Sequence, residues 1–267
     1  MLISQKMKQN KKPISIEERK VVQLEMLKEI DAFCRKNNIK YSLAFGTLLG
    51  AVRHKGFIPW DDDVDIMMPL PDMLRFKEIF HSKSMAYCDL DTDKYFQFAF
   101  ARIANTSTYS QTGLICESYG ICIDLYPVVA IPFDIESQTL YFNKACQLEK
   151  YCDFLNKWRS RAIRYLPVKS IPFYRGSVRK LSNHLRYSYQ YEKSKMFYII
   201  AGPINLHHTM TYNFDMFSKT IEMEFEGILF QVISEYDKFL SLRYGDYMTP
   251  PPEDKRHPYH GFQNFWK

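Results

Sequence analysis

Five consecutive residues, Asp61-Asp62-Asp63-Val64-Asp65, carry four carboxylates. Like charges packed this closely repel, so something positive must compensate for them. Asp63 and Asp65 stand two apart where the apolar run Val64 to Met68 begins, and the period of a strand turns both to one face. Two hard oxygen donors on one rigid face suit Mg²⁺, with Mn²⁺ as the substitute. The neighbouring Val64 and Ile66 demand burial, and a half-buried carboxylate pair without a cation is costly. A third ligand is expected from an adjacent strand. Asp124 qualifies, as the acid centred in a later strand-like run, Ile121-Cys122-Ile123-Asp124-Leu125-Tyr126-Pro127. Asp61 and Asp62 read equally well as a solvated acidic loop. Upstream, Gly46-Thr47 closes an apolar run from Tyr41, where a small residue and a backbone N–H can approach a phosphate closely.

These side chains need a frame, and the hydrophobic pattern supplies one. Ser15 and Glu18 have capping-box spacing, and Val21, Leu24, Leu27, Ile30 and Cys34 continue on one face until Asn37-Asn38. A strand is expected over 41–45, a helical turn over 47–53, a loop over 54–62 and a strand over 64–68, stopped by Pro69. A helix follows over 71–80, then strands over 95–103 and 120–126, the latter ending before Pro127. From about residue 134 the pattern turns helical, over 137–164, 187–200 and 222–244, before an extended proline- and aromatic-rich tail over 245–267. The expected fold class is α+β: a basic tail over 1–14, a catalytic core over 15–133, and a mainly helical region over 134–267.

Composition bounds the class. The 267 residues are 46% apolar and 25% charged, which excludes wholesale disorder. The six cysteines are sparse and show no C-x-x-C pair, so reduced thiols are expected and a structural zinc site is not. No secretory signal is recognisable, and no run is long and apolar enough to span a membrane. The net charge of +6 is unevenly spread: residues 150–200 hold twelve Lys or Arg against Asp153 and Glu192, a local +10, and the remainder sums to −4. That stretch reads as a solvated helical face, as a footprint for an anionic acceptor, or as a contact with anionic membrane, with Trp158, Tyr165, Phe173 and Tyr174 interspersed. No nucleic-acid-binding motif is present, and no nucleic-acid partner is expected.

The run Gly46-Thr47-Leu48-Leu49-Gly50-Ala51-Val52-Arg53-His54-Lys55-Gly56-Phe57-Ile58-Pro59-Trp60-Asp61-Asp62-Asp63-Val64-Asp65-Ile66 resembles the LicD family, the LicD/fukutin-related transferases. Asp124 takes the place of that family's third acid. Phe225-Glu226-Gly227, and Tyr244-Gly245-Asp246-Tyr247-Met248 with Pro250 to Pro252 and Arg256-His257, resemble later family elements. The resemblance spans roughly residues 20 to 260, and the helical stretch from about 134 to 215 matches no motif. It implies a nucleotidyltransferase-like mixed sheet with flanking helices. It also implies transfer of a phospho-alcohol from a CDP-activated donor to a sugar hydroxyl: typically phosphocholine from CDP-choline onto teichoic acid or lipopolysaccharide in bacterial members, ribitol phosphate from CDP-ribitol in animal relatives.

On that reading Asp63, Asp65 and Asp124 are catalytic and hold Mg²⁺ or Mn²⁺, and Gly46 and Thr47 hold a donor phosphate. Arg53, His54, Lys55 and Arg102 are candidates to neutralise the diphosphate. Arg102 stands out because it interrupts an apolar strand and should have a partner. Trp60, Asp62, Tyr126, Tyr244, Asp246 and His257 are candidates for the head group or the acceptor, since aromatic faces hold quaternary ammonium cations. The expected partners are a CDP-alcohol, CDP-choline first, and a glycan or lipid-linked glycan. The expected location is the cytoplasm, with peripheral contact at the inner membrane face. A nucleotidyltransferase proper would use the same acids, and the leaving group, CMP or pyrophosphate, separates the two. A non-catalytic relative would be expected to lack an acid, and all three are present.

Overall fold

The computed structural model describes residues 12–93, 96, 98–112, 115–116, 120–162, 172–191, 194–201, 211–213, 215–256 and 263–267. The first helix, α1 (Ile16–Lys36), starts at its capping box: Ser15 Oγ accepts from the Glu18 N–H at 3.1 Å, and Glu18 Oε2 accepts from the Ser15 N–H at 2.8 Å. Its inner face buries Gln23, Met26, Leu27, Ile30 and Cys34. The chain then forms β1 (Ser42–Leu43) and passes directly into α2 (Phe45–His54). The strand expected over 41–45 is cut to two residues because Phe45, at φ 43°, turns the backbone into the helix.

Next come β2 (Asp65–Pro69), α3 (Leu70–Ile79), β3 (Met85–Cys88), β4 (Ala101–Asn105), β5 (Thr108–Thr112), β6 (Ile115–Cys116) and β7 (Cys122–Ile131). Then follow α4 (Ile135–Ala162), α5 (Pro172–Tyr187), β8 (Met196–Ile199), β9 (Thr211–Tyr212), β10 (Thr220–Phe225), β11 (Ile228–Ile233), α6 (Tyr236–Tyr244) and β12 (Gln263–Trp266). The main sheet has the order β1-β2-β7-β4-β3, with β8 on the far half of β7 and β9 on β8. Among the described strands of this sheet β2 and β7 run parallel and the other pairings are antiparallel. The α+β class holds, with the sheet as the mixed core and α1, α2 and α3 packed around it.

Several expected elements are corrected. The strand expected over 95–103 begins only at Ala101. The strand expected to stop before Pro127 continues through it to Ile131. Pro127 is tolerated because the antiparallel partner changes there, β4 pairing with 122–125 and β8 with 128–131, so its missing N–H falls between two ladders. The helix expected over 187–200 ends at Tyr187, and β8 then pairs with the vacant edge of β7.

The helix expected over 222–244 is a hairpin followed by a short helix. Residues 220–225 and 228–233 alternate with period two, and Glu226 and Gly227, at φ 53° and 73°, make the tight connection. The extended tail ends in β12, antiparallel to β5. Among the described residues the later half is mainly helical, in α4, α5 and α6, and it also contributes β8 to β12. No described helix is long and apolar enough to cross a membrane.

Candidate active site

The start of β2 and the start of β7 lie side by side in parallel register, Asp65 opposite Asp124, while antiparallel β4 places Arg102 opposite Asp124 from the other side. Three candidate residues distant in sequence thus share one row across the sheet. Arg102 Nε donates to Asp124 Oδ1 at 2.7 Å, with both side chains mostly buried. This is the partner an arginine in an apolar strand requires, and it commits the Arg102 charge to Asp124. The guanidinium also stacks on Phe98 at 4.3 Å.

Asp65 is buried, and its pKa is pushed well above the ordinary carboxylate range, first by burial and then by the negative Asp63, Asp124 and Asp61. Tyr126 Oη donates to Asp65 Oδ1 at 3.3 Å and lies 3.4 Å from Asp124 Oδ2, so it bridges the two acids. Its own pKa is raised by burial and by the same carboxylates. Thr47 is buried, and its Oγ1 accepts the Asp65 N–H at 2.8 Å. Its hydroxyl is thus a strut between α2 and β2, rather than the open phosphate contact expected for it.

Gly46 sits in the first turn of α2, where a Cβ would come within 2.5 Å of Asp61 Oδ2. Only glycine leaves room for that carboxylate. Asp61 is thus packed against the start of α2 beside Asp63 and Asp65, a place the sequence reading left open. Its pKa rises to about 7, chiefly by burial and then by Asp63, with which it also shares a hydrogen bond. The two-residue spacing of Asp61, Asp63 and Asp65 is the signal that could have found it. Asp62 has a different place: it is buried and ion-paired to Arg19 of α1 at 2.7 Å.

Of the basic candidates, His54 lies against Trp60 and Arg53 lies beside His54. Arg53 Nη1 donates to the Tyr247 carbonyl at 2.6 Å and Nε to His54 Nε2 at 3.0 Å. Burial and the neighbouring Arg256 lower the Arg53 pKa, and burial with Arg53 lowers that of His54. Arg256 stacks over the Trp60 ring at 5.3 Å, and His54 meets the same ring edge-on. Trp60 thus already carries one cation on its face. Arg256 joins the candidates; its only sequence signal was its place in the last motif. Lys55 terminates α2 in a left-handed conformation and is exposed.

Tyr244, 40% exposed, has a hydroxyl whose pKa is raised by burial and by the nearby Asp65 and Asp61. Asp246 is exposed and accepts from the Thr249 hydroxyl at 2.7 Å, which makes it a loop acceptor. His257 lies outside the described residues.

The carboxylates fit a hard divalent ion in donor chemistry, and a cation would relieve the repulsion that raises the pKa values of Asp61 and Asp65. Among the described residues no three His, Cys, Asp or Glu side chains enclose an ion unaided. A cation held here by Asp63 and Asp65 would complete its shell with water and donor phosphate, as Mg²⁺ commonly does. Cys34, Cys88, Cys122, Cys146 and Cys152 form no disulfide. Part of the basic stretch is consumed internally. Arg175 and Arg179 donate to the Leu90 carbonyl at 2.7 and 2.8 Å, and Arg186 to that of Ala99 at 2.6 Å.

Residues 38–179 match the model of the family described as LicD/FKTN/FKRP, nucleotidyltransferase domain. The lipopolysaccharide cholinephosphotransferase LicD of Haemophilus influenzae is 28% identical over 268 residues, covering 93% of this chain and 97% of its own. An uncharacterized protein of Rickettsia typhi is 48% identical over 65 residues, 24% of this chain and 21% of its own. One of Rickettsia prowazekii is 33% identical over 104 residues, 39% of this chain and 32% of its own. A signature of alternating acids on the sheet and a domain match over more than half of the chain lead to one assignment: this chain belongs to the LicD family.

Proposed function

We propose that this protein is a divalent-cation-dependent transferase that moves a phospho-alcohol, phosphocholine from CDP-choline first among them, onto a hydroxyl of a cell-surface glycan and releases CMP. The observation that carries the reading is the row of Asp65, Asp124 and Arg102 across three strands, with Asp61 and Asp63 crowding the same point. The near full-length similarity to a lipopolysaccharide cholinephosphotransferase supports the choice of phosphocholine and of a lipopolysaccharide-type acceptor, with teichoic acid as the other acceptor class.

In this reaction the acceptor oxygen bonds to the phosphorus that carries choline. The bond from that phosphorus to the bridging oxygen breaks, and CMP leaves with that oxygen. The acceptor's proton passes to a carboxylate of the cluster. Mg²⁺ or Mn²⁺, when bound, neutralises phosphate charge and makes the acceptor hydroxyl more acidic. Asp63 and Asp65 hold it, and Asp124 stands beside the acceptor. The first turn of α2, whose leading N–H groups have no intrahelical acceptor, faces a donor phosphate, and Arg53 and Arg256 supply the positive field.

Release of CMP from a panel of CDP-alcohols with Mg²⁺ tests the reading. CDP-choline is expected to yield CMP, and Asp63→Asn and Asp65→Asn to reduce turnover by about three orders of magnitude or more with the fold intact. Pyrophosphate release from a nucleoside triphosphate would replace the reading with nucleotidyl transfer. Exclusive use of CDP-ribitol would change the head group.

A peripheral station on anionic membrane at the inner face is the second part of the proposal. Leu140, Lys144, Tyr151 and Phe154 fall on one face of α4 and are all exposed, with Lys150 beside them. Co-sedimentation with phosphatidylglycerol vesicles, weakened by salt, is the expected result; equal pelleting with neutral vesicles would remove this part.

A further inference from the structure

We infer that Arg19 and Asn264, near the two ends of the chain, are positioning residues for the carboxylate cluster, acting through Asp62. The consequence for the reaction rests on the cation-binding reading of Asp63 and Asp65. Arg19 on α1 and Asp62 in the acidic segment are both buried, with side-chain exposures of 8% and 2%. Arg19 Nη1 donates to Asp62 Oδ2 at 2.7 Å and to the Asp62 carbonyl at 3.4 Å. With the Asn264 amide nitrogen donating to Ser110 Oγ, its oxygen accepts from Arg19 Nη2 at 3.0 Å and Nε at 2.9 Å. The Asn264 carbonyl in turn accepts the Ile14 N–H at 2.8 Å. Asn264 is buried in β12, and β12 is held on β5.

The result is a fully directed guanidinium: one edge is held by the C-terminal strand, and the other grips the residue between Asp61 and Asp63. Within the segment the Asp61 N–H donates to the Ile58 carbonyl at 2.9 Å and the Asp62 N–H to Asp61 Oδ1 at 3.1 Å, and further contacts tie it to α1 and α2. Lys20 Nζ donates to the Ile58 and Pro59 carbonyls, both at 3.3 Å, and the Asp65 N–H is tied to Thr47. Asp62 ties the residue between Asp61 and Asp63 to α1 and, through Arg19 and Asn264, to β12.

A buried ion pair is weak support for stability by itself, since an apolar pair of similar volume often serves as well. Asp62 Oδ1 is buried without a partner, so the pair is not even fully satisfied. What it contributes is position: it fixes the backbone on which Asp61 and Asp63 are spaced.

The test compares Arg19→Met/Asp62→Leu, which removes the pair without stranding a charge, with Asn264→Ala and with Arg19→Lys. Thermal melting identifies the variants that fold. Two readouts follow: amide exchange by mass spectrometry over 57–65, and the Mn²⁺ dissociation constant by calorimetry without donor. Folded Arg19→Met/Asp62→Leu is expected to exchange faster over 57–65 alone and to bind Mn²⁺ about tenfold or more weakly. Asn264→Ala is expected to show the same pattern, and Arg19→Lys to fall between. Unchanged exchange over 57–65 in a folded double variant overturns the positioning role. A wild-type protein that binds no Mn²⁺ overturns the metal reading instead, and the exchange data still judge the positioning.

Discussion

Asp61 and Asp65 are held with pKa values above those of free carboxylates, and this has a consequence for stability. A carboxyl whose folded pKa is raised binds protons more tightly when folded, so it favours the folded state at low pH. That favour is lost as pH rises from the unfolded value near 4 through the folded value, about 7 for Asp61. In chelator, melting temperature is therefore expected to fall as pH rises from about 4 to about 7. Added Mg²⁺ above pH 7 is expected to restore it, as seen by calorimetry at fixed ionic strength. Flat melting over that range would show that the cluster does not hold its carboxyls this way. Asp63, Asp65 and Asp124 were singled out by residue type and spacing, although β2 begins only at Asp65 and leaves Asp63 ahead of the strand. Asp61 and Arg256 were not, because their roles depend on what surrounds them: a glycine without a Cβ in one case, an indole face in the other.

At the scale of elements, α2 and the loop after it are locked by close backbone approach. A Cβ on Gly50 would lie 2.4 Å from the Gly56 carbonyl, and backbone cannot yield as a side-chain tip does. Gly50→Ala is expected to cost about 1–3 kcal/mol in urea denaturation, and to lower activity because the displaced loop leads to the acids. Wild-type stability in this variant would contradict the packing. The β10–β11 turn staples the same loop: Glu226 Oε1 accepts the Phe57 N–H at 2.9 Å, and the Glu226 N–H donates to the Lys55 carbonyl at 2.8 Å. Here the helical spacing of 222–244 misled, because an apolar run of mixed period fits a hairpin once Glu226-Gly227 can take positive φ. The capping box of α1, by contrast, is local chemistry, and the helix begins where it stands.

At the scale of the whole molecule, the helical pair α4–α5 is joined to the catalytic sheet by arginines. Arg186 and Arg175 donate to carbonyls of residues 90–99, the segment that leads into β4 and carries Phe98 against Arg102. Arg186→Leu is expected to cost about 1.5–3 kcal/mol, the worth of a charged hydrogen bond, and to reduce activity through Arg102. Chemical denaturation and CMP release together check this; a stability loss with full activity would separate the clamp from the site. The +10 stretch is thus partly internal scaffolding, while Lys150, Lys180 and Lys195 remain exposed for an anionic partner. Arg164, Lys169 and Lys193 lie outside the described residues.

The amino-acid order alone determined the α+β class, the first helix and its start, and the family resemblance, because capping, period and motif spacing act over a few residues. Tertiary structure decided which acid is tied to which cation, since Arg102 meets Asp124 and Arg19 meets Asp62 only through pairings made 22 and 43 residues apart. It also decided that Pro127 could continue a strand and that 222–233 would pair as a hairpin. Strand partners and buried charge pairs are set by distant neighbours, and no local window of sequence contains them.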